Sequence, residues 1–206
     1  MASKILPKQV EKFYSSELAY HNFSHVQAVC DQAQEIADYC QQEGKKVDKE
    51  VVYLAALLHD ANYQADYRAQ GFNSKEELAA DLAEKFLLSN GCKQSLVDKV
   101  KETILGTLKD GKFISYEAKI LRAADLSGLA GEYEDFVKNN QLLKSEYEFL
   151  NKKKVSNQKW RDMTKDLIEF YLSQNIHLTS RYYNKVGESV FYEKVRDNIN
   201  RYLFLD

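Results

Sequence analysis

Two histidines, His21 and His25, stand one helical turn apart in YHNFSHV, and a third is followed at once by an aspartate in LAALLHDANY, as His59 and Asp60. A further aspartate, Asp125, interrupts the aliphatic and small-residue run ILRAADLSGLAG. Each has a plain structural explanation: a histidine hydrogen-bonded at a core edge, a helix end meeting solvent, or an ion pair from Arg122 to Asp125 across one turn. The carboxylates weigh against these explanations. Aspartate is rarely buried unless it is paired or binds a metal, and an uncompensated buried carboxylate is costly. The carbonyl end of a helix also favours a cation. A shared two-histidine, two-aspartate site answers every anomaly at once, and its nitrogen and oxygen donors suit one divalent ion such as Mn²⁺, Fe²⁺, Co²⁺, Ni²⁺ or Zn²⁺, with Mg²⁺ as a further choice.

The elements that must position these residues read as helices. From Asn22, a plausible N-cap, apolar residues recur at Val26, Val29, Cys30, Ala33, Ile36, Ala37 and Cys40, the stripe of an amphipathic helix. Asp48 caps a second helix with Val51, Leu54, Ala55 and Leu58 on its inner face, and His59-Asp60 falls at its end. ANYQADYRAQGF has no period and reads as a loop. Asn73 or Ser74 opens the next helix, with Leu78, Leu82, Phe86 and Leu87 inward, and Gly91 closes it. Leu96, Val100, Ile104 and Leu108 mark another. A helix beginning near Ser115 is expected to run through ILRAADLSGLAG, with Asp125 inside its apolar part. A short helix starts at Pro7, one surrounds Trp160 to Leu172, and a last one carries Phe191, Val195, Ile199 and Leu203. The fold class is therefore all-α.

Composition narrows the partners. The 206 residues include only eight glycines and one proline, which favours long helices over turn-rich β structure. Net charge is −2, so no strong global field draws nucleic acid polymers or acidic membranes. Cys30, Cys40 and Cys92 are odd in number and widely spaced, which argues against disulfides and thiolate zinc and fits a reducing cytoplasm. The opening MASKILPKQVEKFY has no apolar core of a signal peptide, and no segment reads as a membrane span.

The order His25, His59-Asp60, Asp125 resembles the HD superfamily of metal-dependent phosphohydrolases. YHNFSHV, LAALLHDANY, NSKEELAADLAEKFL, VKETILGT and AADLSGLAGEYEDF resemble successive blocks of one bacterial branch of that superfamily. The likeness covers about residues 20–136, with a weaker echo in EKVRDNINRYL. It implies a single HD-type helical bundle over residues 1–206, with its core at about 20–136 and a helical extension over 137–206. It implies His25, His59, Asp60 and Asp125 as ligands of one divalent ion, and His21 as a neighbour in the pocket that shapes it or touches phosphate. Members often carry a further histidine after the block resembling ILGT. LKDGK stands there instead, which argues against a two-metal site.

The chemistry implied is hydrolysis of a phosphomonoester on a small nucleotide or phosphorylated metabolite, with Asp60 in the catalytic centre. A nearby carboxylate must move a proton. Glu77, with Glu76 in reserve, lies in the block where relatives place an acidic residue, and Asp66 is a third choice; a solvated helix face is the plain alternative for the glutamates. Arg68, Lys75 and Arg122 are the candidate phosphate contacts. A guanosine tetraphosphate hydrolase fits less well, because such proteins usually follow the HD pair with an acidic pair and here the residues are HDANYQAD. A non-catalytic metal- or nucleotide-binding module is the alternative from another class, and a purely structural helical protein is the third.

Overall fold

The computed structural model describes residues 5, 7–174, 176 and 178–204. Residues 1–4 and 6, part of the stretch read for a leader, lie outside the described residues. Regular structure among the described residues consists of nine α-helices and three short 3₁₀ turns, with no strand, so the protein is all-α. None of these helices is long and apolar enough to cross a membrane. The chain forms two compact units, Met1–Asp125 and Leu126–Asp206.

The first unit holds α1 (Pro7–Val10), α2 (Phe23–Gln42), α3 (Lys49–Leu58), α4 (Lys75–Ser89), α5 (Gln94–Leu105) and α6 (Tyr116–Asp125). Helix α3 is the hub, packing against α1, α2, α4, α5 and α6. Its sequence explains this. Beyond the expected stripe, Val52, Ala56 and Leu57 are also buried, and a helix apolar all round must be covered all round. The start of α2 is fixed by Asn22, whose Oδ1 accepts from the amides of Ser24 and His25 while its Nδ2 donates to Leu18 O. That satisfies orphan donors of the first turn and ties it to the preceding loop. Ser74 caps α4 by accepting from the Glu77 amide. At its other end Gly91 takes φ +78°, the left-handed conformation that lets Cys92 N reach back to Leu87 O. The buried face of α5 is Val97, Val100, Thr103 and Ile104; Val100 and Ile104 are inward as expected, while Leu96 and Leu108 are only half-buried.

Helix α6 stops earlier than expected. Asp125 is its last residue, not an interior one, and the chain continues through Leu126 into a 3₁₀ turn, Ser127–Ala130. At Leu126 ψ is −3°, which tightens the next bond to Leu129 N→Leu126 O. Serine and glycine then follow, both weaker helix formers than the alanines and leucines before them.

The second unit contains α7 (Tyr133–Asn151), α8 (Asn157–Ser173) and α9 (Val190–Leu203). Phe136, Ile168, Val195, Ile199 and Tyr202 form its core. Asn198 is buried and donates to the carbonyls of Leu129 and Gly131, which pins the 3₁₀ turn to α9.

The approach of α6 to α5 depends on Gly106. A Cβ there would lie 2.7 Å from Ala118 Cβ and 3.1 Å from Thr103 O, both on rigid elements. Gly106→Ala should therefore cost about 1–3 kcal/mol by overpacking and shift the urea midpoint down at unchanged slope. An unchanged midpoint would mean that α5 and α6 separate freely.

Candidate metal centre

The site forms where three helix ends of the first unit meet. His25 lies in the first turn of α2, its amide held by the Asn22 cap. His59 and Asp60 directly follow α3, and Asp125 closes α6. Both carboxylates thus sit at the carbonyl ends of helices, where the local field is already negative and an anion is disfavoured. Only cationic charge makes that placement stable.

The carbonyls at the end of α3 are accounted for in turn. His59 Nδ1 bonds Ala56 O at 2.8 Å, the Tyr14 hydroxyl donates to Leu57 O at 2.7 Å, and Ala61 N donates to Leu58 O at 3.1 Å. A carbonyl can only accept, so Nδ1 of His59 carries the proton and Nε2 is left to face the site. Asn62 then takes φ +62°, which asparagine tolerates, and its amide donates to Phe13 O. The chain after the HD pair is thereby turned toward the segment before α2.

His25 Nε2 lies 3.4 Å from Asp125 Oδ1 and 3.6 Å from Asp60 Oδ2. His59 Nε2 lies 3.1 Å from Asp60 Oδ2 and 3.6 Å from Asp125 Oδ1. All four ligand atoms fall within 4.8 Å of one another, and they are the one group of three or more such residues among the described residues. Two donors each about 2.1 Å from a common ion are separated by about 3.0–3.4 Å at cis-octahedral or tetrahedral angles, and the imidazole–carboxylate distances of 3.1–3.6 Å lie close to that range. His25 Nε2, His59 Nε2 and Asp60 Oδ2 are buried yet make no well-directed hydrogen bond. Buried polar atoms without partners are rare and costly. Here they converge, and a divalent ion among them would satisfy every one. The donor set fits such an ion.

The electrostatics agree. Burial disfavours a proton on His59, but the negative charges of Asp60 and Asp125 close to Nε2 outweigh it and hold its pKa well above the ordinary 6.5. Burial would raise Asp125, but the close approach of the His25 and His59 imidazoles pulls it well below 3.8. Burial likewise opposes ionisation of Asp60, and the neighbouring His59 and His21 prevail to lower it. In the metal-free protein the imidazole proton therefore stands in for a cation.

The other residues singled out in the sequence lie outside this ligand group. His21 is a neighbour: its ring meets that of His25 edge-on at 5.5 Å and stacks on Tyr63 at 3.8 Å. Lys75 donates to Tyr63 O, and its ammonium stands 3.3 Å from the Tyr63 ring centroid. Arg122 is buried and turns to the carbonyls of Leu108 and Gly106, while Asp125 pairs with the two imidazoles. Arg68 is exposed beside the Tyr67 ring. Asp66 accepts from the amides of Arg68 and Ala69, holding the loop. Glu77 accepts from Asn73 N at 2.8 Å while its own amide donates to the Ser74 hydroxyl, so its carboxylate braces the start of α4. Glu76 is half-buried in the same turn. Tyr63 was not singled out in the sequence; it lies in an aperiodic loop, and its only sequence signal is proximity to the HD pair.

A family model described as HD domain matches residues 22–127, a span that includes all four residues of the cluster. No curated protein matches the chain.

The pKa directions fix a pH dependence. The ion pairs stabilise the metal-free fold above the ordinary aspartate value of 3.8 and below the ordinary histidine value of 6.5. Stability is lost as pH falls through the lowered carboxylate values, and as it rises through the raised His59 value. Metal must displace the His59 proton, so stabilisation by Mn²⁺ should grow with pH along the upper limb. Melting temperatures from pH 5 to 9, with and without Mn²⁺ (about 5 being near the lower edge of the usual stable range), test this. A Mn²⁺ shift that is largest at the acid end would contradict the ligand role of His59.

Proposed function

Because the chain belongs to the HD domain family, we propose that it is a metal-dependent phosphohydrolase of the bacterial branch its sequence blocks resemble, cleaving a phosphomonoester of a small nucleotide or phosphorylated metabolite in the cytoplasm. The observation that carries this is the convergence of buried, unbonded ligand atoms from His25, His59 and Asp60 beside Asp125. One divalent ion held there would supply Lewis acidity toward water and toward a phosphoryl oxygen.

The chain's own groups would do the rest. The Ala56 carbonyl keeps His59 in one tautomer, and the Asn22 cap keeps His25 in register. Asp60 and Asp125 provide the negative charge that retains a cation. His21, beside His25 but outside the ligand group, would meet a phosphoryl oxygen in this reading. Glu76, Glu77 and Asp66 are the proposed proton carriers. Glu77 and Asp66 already accept backbone amides, which puts Glu76 first. Arg68 and Lys75 are the remaining cations near the loop after the HD pair. The net charge of −2 supports a small substrate over a polymer, since polymer binding rests on a basic surface that releases counterions. One ion suits a terminal phosphate better than the two-sided clamp used on diesters.

Phosphate release from nucleoside monophosphates and sugar phosphates with Mn²⁺, set against cyclic dinucleotides and single-stranded DNA, tests the substrate class. The monoesters should turn over and Asp60→Ala should abolish it; turnover of diesters alone would reverse the assignment. Glu76→Gln should keep the metal and lose roughly 10²–10⁴-fold in rate. Glu77→Gln keeps an oxygen that can accept the Asn73 amide and should leave both rate and stability near wild type. Equal rate losses in both variants would return Glu77 to the proton-transfer role.

A further inference from the structure

Lys75 occupies an awkward position. It is the first residue of α4, where the helix dipole disfavours a cation. Its ammonium meets two groups of Tyr63, the carbonyl at 2.8 Å and the ring face at 3.3 Å from the centroid. The Tyr63 ring in turn stacks on His21, with centroids 3.8 Å apart and planes 15° from parallel. His21 meets Tyr20 and His25 edge-on, at 5.0 and 5.5 Å. One face of the imidazole is thus covered by Tyr63, and two neighbouring rings abut it. A rule of local placement is broken at Lys75, and the ring it contacts is the one that stacks on His21.

We infer that Tyr63, clamped from outside by Lys75, is a positioning residue for His21. The inference rests on the reading above that His21 meets the phosphoryl group. Tyr63 stacks His21 with one face and carries the Lys75 ammonium near its ring, so it is not a platform for a substrate base. Lys75 acts through Tyr63 rather than on phosphate directly. An imidazole held in this way keeps its ring nitrogens at a fixed distance from the ligand cluster, and the entropy of ordering it is spent on folding rather than on binding.

The test uses the full chain loaded with Mn²⁺ and inorganic phosphate as the probe, followed by calorimetry. Tyr63→Ala and His21→Gln should each weaken phosphate by roughly 10-fold, the loss of one hydrogen bond to a charged group. Tyr63→Phe keeps the ring and should bind like wild type. The double variant should be no weaker than His21→Gln alone, because residues acting as one unit are not additive. All variants should hold as much Mn²⁺ as wild type. The His21 ring-proton resonance of the metal-free protein should move in Tyr63→Ala and stay in Tyr63→Phe, which also reports that the variants fold. Additive losses, unchanged affinity in Tyr63→Ala, or no phosphate binding by wild type would each overturn the clamp. A non-additive cycle in a protein that hydrolyses no phosphoester would leave the clamp standing and refute the phosphohydrolase. Turnover of a monoester with an additive cycle would do the reverse.

Discussion

Two carboxylates held at the carbonyl ends of two helices are the constraint around which the first unit is built. Asp60 follows α3 and Asp125 ends α6, so each adds negative charge where the helix already presents it. Left alone, the pair would repel and unravel the ends that carry it. Two imidazoles with their Nε2 atoms turned toward the carboxylates offset that charge, and the four side chains together form a group that could hold a cation.

The packing follows from that need. The ends of α3 and α6 must be brought beside the beginning of α2, and the buried helix α3 does so by contacting both. Gly106 lets α6 approach α5 closely enough to keep Asp125 in place. The Asn22 cap and the left-handed turn at Asn62 set where the chain enters and leaves the site. These contacts orient the four clustered side chains without belonging to the cluster, as outer partners would in a metal site.

Much of this was legible in the sequence. Helices α2 and α3 carry strong apolar periods and side-chain caps, so their bounds and the placement of His25 and His59-Asp60 followed from pattern alone. Asp125 stood out as a charge in an aliphatic run. Its place at the end of α6 did not, because Leu126 and Leu129 continue the apolar pattern while the backbone tightens. Helix α7 was hard to read because it buries only Phe136, Asn140 and Glu146, which leaves no apolar stripe. The amide bonds of Glu77 and Asp66 were hidden for a different reason: a carboxylate in a first turn or loop looks the same in sequence whether it caps backbone or faces substrate. The Lys75–Tyr63–His21 stack joins residues of three segments and has no local signature.

X-ray absorption at the metal edge of protein loaded with Mn²⁺ or Zn²⁺ tests the central claim most directly. The account predicts a shell of nitrogen and oxygen at about 2.0–2.2 Å, with the multiple-scattering pattern of two imidazoles, reduced to one imidazole in His25→Ala and unchanged in His21→Ala. An all-oxygen shell, or one that is unaffected by His25→Ala, would place the ion elsewhere and leave the convergence of these four side chains without its explanation.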